Sequence, residues 1–241
     1  MRKLALVLLF LPVAAFAAGG DMKLDRANID HGDAISIQRG AQVFVNYCLN
    51  CHSASSMRYN RLMDLGLTEQ QIKDNLLLAG EKVGDTMTVA ASRKDGKQWF
   101  GVVPPDLSVI ARSRGVDWLY TYLRTFYRDP ATVTGWNNLA FPNVGMPHVF
   151  WQLQGMQVLH TETRDEGGHQ VQHRKLVLET PGTLSPVEYD RLVRDLVSYL
   201  AFMAEPDRTK RVQIGIVVLL FLSLLLVLSW LLKREYWKEL H

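Results

Sequence analysis

The sequence predicts a mainly α-helical exported domain with one small β-hairpin, held by a single C-terminal transmembrane helix. Three observations carry that expectation. Val212 to Leu232 reads VQIGIVVLLFLSLLLVLSWLL, without one charged residue. Apolar residues recur at helical spacing at both ends of the preceding stretch, once behind Asp33 and once behind SPVE at 185–188. One region alone, MQVLHTETR and HQVQHRKLVLET around DEGG, alternates with the period of a strand.

The N-terminus, MRKLALVLLFLPVAAFAAGG, has a basic start at Arg2 and Lys3, an apolar run from Leu4 to Phe16, and small residues at Ala15 and Ala17. That order reads as a signal peptide over residues 1–17, cleaved after Ala17. The run is too short to span a bilayer and Pro12 breaks it. Residues 18–211 are then the exported domain, 212–232 the anchor and 233–241 a short inner tail. At about 1.5 Å per residue the anchor covers about 30 Å, the thickness of a bilayer's hydrocarbon core. Trp230, Tyr236 and Trp237 stand where an interfacial aromatic belt belongs. Basic residues flank both ends (Arg208, Lys210 and Arg211; Lys233, Arg234 and Lys238), so charge does not orient the span, and the signal peptide does.

Within the exported domain, Asp33 is placed to cap a helix that carries Ile37, Val43, Phe44 and Tyr47 into two cysteines. Residues 53–102 read as irregular, with a helix near Thr68 to Ala79 and Gly-rich stretches around EKVGD and RKDGK. VVPPDLSVIARSRGVDWLYTYLRTFYRDP opens on a proline pair, becomes helical and stops before Pro130. GWNNLAFPNVGMPHVF reads as a loop, interrupted by Pro142, Gly145 and Pro147. After the hairpin, SPVE is a capping box with Pro186 at the first helical position. Its helix carries Leu192, Leu196, Tyr199, Leu200 and Met203 on one stripe. Pro206 ends it, and a short basic linker leads to the span.

The formal charge of +3 in 241 residues, without a basic stripe, excludes nucleic acid as a partner on composition. The chemistry concentrates at VNYCLNCHSAS, which holds Cys48 and Cys51, the only two cysteines, and His52 directly after them. A disulfide explains neither His52 nor the absence of further cysteines. Zinc needs ligands that the scattered histidines do not supply, and a thioredoxin-type pair needs a βαβ context that is missing. C-x-x-C-H is the attachment signature of one covalent haem c: two thiols add to the two vinyl groups of one haem edge, and the next residue ligates the iron.

Gly40, Phe44 and Cys48 fall four residues apart, so glycine and phenylalanine share the helical face that leads into the motif. A close crossing at Gly40 with the Tyr199 and Met203 stripe resembles the class I cytochrome c fold. Such a haem carries a distal methionine, and His/Met ligation raises the reduction potential. Met146, in the proline-fixed loop FPNVGMPHVF, is the expected ligand, with His148 as its rival.

The ordered set RGAQVFVNYCLNCHS, VVPPDLSVIARSRG, FPNVGMPH, SYLAFMAEPDRTKR and a C-terminal span resembles the cytochrome c1 family, from about residue 33 to the C-terminus. The resemblance implies that Pro104 and Pro105 lie against the porphyrin edge with Leu107 and Ile110 beside them, and that Arg114 meets a haem propionate. Helical phase puts Leu107, Ile110, Arg114 and Trp118 on one face. Phase alone fits a solvated charge at Arg114 equally well. Trp118 stands where the family often has tyrosine, and Phe141 and Val144 approach from the Met146 loop.

The resemblance further implies a bacterial inner-membrane protein with its haem domain in the periplasm, part of a dimeric multi-subunit quinol–cytochrome c reductase. It would take one electron from a Rieske iron–sulfur protein, beside cytochrome b, and pass it to a soluble or membrane-bound cytochrome c. No general acid, base or nucleophile is expected of the chain itself. The alternative is an anchored monohaem cytochrome serving a periplasmic dehydrogenase. A haem-based sensor is disfavoured, because the tail after Leu232 is too short for an output domain.

Overall fold

Asp33 opens the first helix as its sequence position requires. In the computed structural model, which describes residues 22–89, 91–166 and 169–238, its side chain accepts the Ser36 N–H at 3.0 Å and caps α1 (Ala34–Val43). The expected signal peptide lies outside the described residues. The chain then continues through one π-helical turn (Phe44–Cys48). A short strand β1 (Ala54–Arg58), a 3-10 segment (Tyr59–Leu65) and α2 (Glu69–Asn75) follow, then β2 (Thr86–Met87), antiparallel to β1. Thr68 and Gln71 form a capping box at the start of α2.

α3 (Arg93–Phe100) replaces the irregular stretch expected around RKDGK. Ser92 caps it, accepting the Asp95 N–H at 3.1 Å, and Gly101 ends it at φ 74°. Gly96 is helical because the helix must approach Pro104: a Cβ there would stand 2.8 Å from the Pro104 ring. The helix expected after the proline pair is two helices, α4 (Ile110–Arg114) and α5 (Val116–Arg124), broken at Gly115 with φ 87°. The chain does not run as irregular loop after α5 either. β3 (Phe126–Arg128) pairs antiparallel with β4 (Trp136–Asn138), so WNN is a strand rather than loop.

After the one-turn helix α6 (Trp151–Gln154), the hairpin forms from β5 (Gly155–Glu166) and β6 (His169–Pro181), with His160 opposite Lys175. α7 (Pro186–Ala204) begins with the expected box: Ser185 accepts from Glu188 N–H while the Glu188 carboxylate accepts from Ser185 N–H. α8 (Arg208–Tyr236) contains the whole expected span. Arg208 to Arg211, expected as a linker, already belong to it. Glu205 secures that start, accepting from Arg211 at 2.9 Å and lying 3.6 Å from Arg112 of α4. By length and composition α8 is able to cross a membrane, and none of its apolar stretch is buried against the rest of the chain.

The core forms where α1 crosses α7. Phe44 and Tyr199 are fully buried, with ring centroids 5.3 Å apart. Gly40 permits the crossing, since a Cβ there would collide with the Asp195 carbonyl and come within 2.8 Å of Tyr199 Cβ. Polar groups lock the same contact. The buried Asp195 accepts from Ser36 at 2.6 Å and from the Arg39 guanidinium at 2.5 and 3.1 Å. On the other side of α7, Arg124 of α5 holds Asp190 at 2.6 and 3.1 Å and Asp25 at 2.6 Å.

Candidate haem site

The π-helical turn delivers the motif. Leu49 N–H bonds to the Phe44 carbonyl at 3.0 Å, and the N–H groups of Cys51 and His52 both bond to the Cys48 carbonyl, at 3.1 and 2.9 Å. One extra residue in the helix thus closes C-x-x-C-H into a single turn directly after α1. π-turns of this kind concentrate at functional sites. Both cysteines are free and half-buried. Burial pushes the Cys48 thiol up to about 12 and raises Cys51 as well. A redox dithiol needs the opposite, a stabilised thiolate. Among the described residues no three His, Cys, Asp or Glu side chains are grouped to hold a metal ion.

His52 is oriented from the proline pair. Its Nδ1 lies 2.8 Å from the Pro105 carbonyl oxygen. A carbonyl only accepts, so Nδ1 carries the proton and Nε2 keeps its lone pair. Burial holds the ring below its ordinary pKa, although the Pro105 carbonyl and Asp106 favour the charged form. The neutral, singly protonated imidazole is the form that ligates iron.

PPDLS is a clamp on the segment after His52. Leu107 N–H donates to the Ser53 carbonyl at 2.8 Å. Asp106 accepts from Ser55 N–H at 2.9 Å and Ser108 N–H at 2.8 Å, and Ser108 Oγ accepts from Ser56 N–H at 3.0 Å. Burial alone would push the Asp106 carboxyl up; the donors of Ser108 and Ser55 outweigh it and hold it below the ordinary value. Neither Asp106 nor Ser108 was singled out from the sequence, although both stand inside the quoted motif.

The other half of the site is aromatic. The hydroxyl of Tyr122 donates to the Met146 sulfur at 3.4 Å. Trp118 stacks on Tyr122 at 4.9 Å and 10°, and Phe141 meets Trp118 edge-on. The Arg114 guanidinium sits over the Trp118 ring at 5.1 Å and the Phe141 ring at 5.8 Å. The break at Gly115 means that this meeting is made across two helices, not along one helical face. Arg114 is exposed, Val144 is buried, and Leu107 and Ile110 pack against the core. Among the described residues the two halves share no hydrogen bond or ring contact; α4, between Leu107 and Arg114, joins them.

The Met146 loop hangs on two buried asparagines that sequence reasoning passed over. Asn138 accepts from the N–H groups of Ala140 and Phe141 at 2.9 and 3.0 Å and donates to the Tyr122 carbonyl at 2.7 Å. Asn137 accepts from Asn143 N–H at 2.8 Å, where Asn143 adopts φ 60°. A Cβ at Gly145 would stand 2.8 Å from Val102, so the loop lies tight against the end of α3. His148 is buried, stacked on Phe126 at 4.9 Å and 6° and edge-on to Trp136 at 5.2 Å. Neither ring nitrogen reaches a hydrogen-bond partner. Burial lowers its pKa to about 4, although Gln154 favours the charged ring. Of the other methionines, Met57, Met87 and Met203 are buried in the core, and Met87 sulfur accepts from Tyr199 at 3.1 Å.

The model of the Cytochrome C1 family matches residues 26–98 and 81–240. The chain belongs to the cytochrome c1 family. It is 49% identical to cytochrome c1 of Allochromatium vinosum, over 100% of both chains. It is 52% identical to the ammonia monooxygenase gamma subunit of Nitrosomonas europaea, over 100% of this chain and 99% of that one. Cytochrome c1 of Rhodospirillum rubrum is 28% identical, over 86% of this chain and 82% of its own length. Membership of the cytochrome c1 family implies a covalent haem c. The residues present fit that group: two free thiols on one turn, an imidazole with Nε2 available, and a thioether held by a phenol.

Proposed function

We propose that the chain is the membrane-anchored haem c subunit of a quinol–cytochrome c reductase, taking one electron from a Rieske iron–sulfur protein and passing it to a cytochrome c. The observation that carries the reading is the His52–Pro105 hydrogen bond. It joins the C-x-x-C-H turn to the PPDLS clamp and leaves Nε2 as the open nitrogen. Cys48 and Cys51 would form the thioethers, and His52 and Met146 would ligate the iron. Bound there, haem c supplies a one-electron carrier whose potential is set by its axial ligands and surroundings.

The chain's own residues do the rest. Pro105 and the Asp106–Ser108 clamp orient His52, and Tyr122 steadies the Met146 thioether. Pro104, Pro105, Leu107, Ile110, Phe141 and Val144 would wall the haem, and Arg114 and Trp118 would lie at its propionate side. The α1–α7 crossing closes the core behind the motif and keeps water out. Residues 1–17 would direct export, 18–211 would stand in the periplasm, 212–232 would cross the inner membrane and 233–241 would end inside. Cytochrome b, the Rieske protein and a cytochrome c acceptor are the expected partners, in a dimeric complex.

The identity over full length to a protein named as a gamma subunit of ammonia monooxygenase supports a second reading, in which the same haem domain serves a monooxygenase complex. Purification from native membranes separates the two. Co-fractionation with a dihaem cytochrome b and a Rieske protein, with quinol-dependent cytochrome c reduction lost on His52→Ala, is expected. Co-fractionation with ammonia-oxidising activity and without b-type haem would replace the first reading by the second. Isolation with a periplasmic dehydrogenase would overturn both.

A further inference from the structure

α7 and α8 are joined by Glu205, Pro206 and Asp207 alone. Flexible tethers are runs of Gly and Ser with free backbone. This joint holds neither residue, and the Pro206 ring fixes one of its φ angles. Its backbone is also bonded on both sides. Glu205 N–H donates to the Ala201 and Phe202 carbonyls at 3.1 Å each, while the Glu205 and Asp207 carbonyls accept from Arg208 and Arg211 at 3.2 and 2.9 Å. Side chains brace it further. The Glu205 carboxylate, 18% exposed, faces Arg208 and Arg211 of α8 at 3.9 and 2.9 Å and Arg112 of α4 at 3.6 Å. Arg61, in the 3-10 segment, reaches the Asp207 carboxylate at 3.5 Å. An isolated surface ion pair contributes little, whereas a partly buried network with shared partners holds its geometry.

The brace connects two particular places. The uncharged stretch of α8 begins at Val212, directly after Arg211, so Arg208 and Arg211 belong at the membrane surface. Arg112 stands on α4 between Ile110 and Arg114. At about 100° per residue it falls about 200° from Ile110, whereas Arg114 falls about 40° from it. α4 thus turns one face to the candidate haem pocket and the other to the anchor. We infer that Glu205 is a positioning residue: by pairing Arg112 of α4 with Arg208 and Arg211 of α8, it holds the haem domain at one tilt over the membrane and keeps it from swinging on its anchor. The inference rests on the reading given under Proposed function in taking α4 as a wall of the haem pocket and α8 as the span. A tilt fixed in advance removes rotational freedom that each encounter with a membrane-bound partner would otherwise cost.

The test uses the full-length haem-loaded protein in oriented lipid multilayers, comparing the parent with Glu205→Gln, Arg112→Gln and the double variant. Electron paramagnetic resonance of the ferric haem reads the tilt, as the change in signal when the multilayer is rotated in the field. The parent should show strong angular contrast. Each single substitution should lower that contrast about twofold or more, and the double variant should match Glu205→Gln, because both residues act through one contact. The reduction potential and the near-infrared band should stay at parent values; a role confined to the stability of the haem pocket would move them. Trypsin supplies a readout that needs no haem: cleavage after Arg208, Lys210 or Arg211 should release the domain about threefold faster from each variant than from the parent. A parent without angular contrast, or variants with the parent's contrast and cleavage rate, overturns the proposal. The Arg112 side chain is 63% exposed, so Arg112→Gln leaves the core untouched and decides the matter if Glu205→Gln loses its haem. Absence of thioether-bound haem in the unaltered protein would instead overturn the haem reading, and trypsin release would then test the brace by itself.

Discussion

His52 Nδ1 and the Pro105 carbonyl oxygen meet at 2.8 Å across a separation of 53 residues. The bond holds the proton on Nδ1 and makes Nε2 the more basic, and so the stronger, ligand. The oxygen is part of the backbone, so no side-chain substitution removes it. The clamp that positions it is accessible to mutation. Asp106→Ala and Ser108→Ala each free a backbone N–H that the clamp now satisfies, so they should lengthen the His52 contact and raise the reduction potential. A net hydrogen bond of about 1 kcal/mol corresponds to roughly 40 mV for one electron. Redox titration of the haem band checks this; an unchanged potential in both variants would separate the clamp from the ligand.

Asp106 also makes the clamp pH-dependent. Its folded-state pKa lies below the ordinary 3.8 because the Ser108 and Ser55 donors outweigh burial. A carboxylate shifted downward contributes stability in full above the ordinary value, and that contribution disappears as pH falls through and below it. Asp106→Asn should therefore be less stable than the parent by about 1 kcal/mol at neutral pH. The gap should narrow as the pH drops below 3.8. Urea melts at several pH values measure it. A gap that stays constant, or widens in acid, would contradict the assignment.

The two candidates for the distal ligand differ in their surroundings. The Met146 sulfur accepts a hydrogen bond from Tyr122, whereas His148 lies flat on Phe126 with Trp136 at its edge. Met146→Leu should abolish the near-infrared charge-transfer band of ferric thioether ligation. His148→Phe should retain it, because phenylalanine fills the same aromatic slot. The substitution also removes two buried nitrogens without partners, so stability should hold or rise by about 1 kcal/mol. Loss of the band in His148→Phe, with Met146→Leu unaffected, would reverse the ligand assignment.

Local interactions were the ones legible in the sequence. Asp33, the Ser185–Glu188 box and the hairpin around DEGG depend on residues a few positions apart, and each forms where it was read. The helix at RKDGK is also local, since Ser92 and Gly101 bracket it, but Gly96 makes the stretch read as Gly-rich and irregular, and the reason for that glycine, the approach of Pro104, is tertiary. Gly115 is the reverse case, a glycine inside a helical pattern that breaks it at φ 87°. The site's supports were not legible because their partners are distant. Asn138 serves Tyr122, 16 residues earlier, and Asp106 serves Ser55, 51 residues earlier. Such residues carry no periodic signal, since one side chain meets one backbone group that only the tertiary fold brings near.

Gly40 tests whether the haem-bearing turn depends on the α1–α7 crossing. Any Cβ at that position would collide with the Asp195 carbonyl, which is backbone and cannot swing away. Gly40→Ala should force the helices apart, expose Phe44 and Tyr199, and destabilise the domain by about 3 kcal/mol, the upper part of the overpacking range. Thermal unfolding and covalent haem yield should fall together. Parent-like stability would mean that the helices cross less closely than the geometry requires.

Tyr122 completes the distal side. Burial pushes its phenol far above its ordinary pKa, so it remains protonated and a donor at every working pH. Its hydroxyl lies 3.4 Å from the Met146 sulfur, and stacking on Trp118 and edge contact with Phe126 fix its ring. A hydrogen bond to the sulfur draws electron density from it, which weakens donation to ferric iron more than to ferrous iron. Tyr122→Phe keeps the ring contacts and deletes only that bond. The potential should therefore fall, by roughly 40 mV if the bond contributes about 1 kcal/mol. The charge-transfer band should persist, shifted in position, because the sulfur is still held by its loop. A merely structural Tyr122 would leave the potential unchanged, whereas loss of the band would make the phenol necessary for ligation itself.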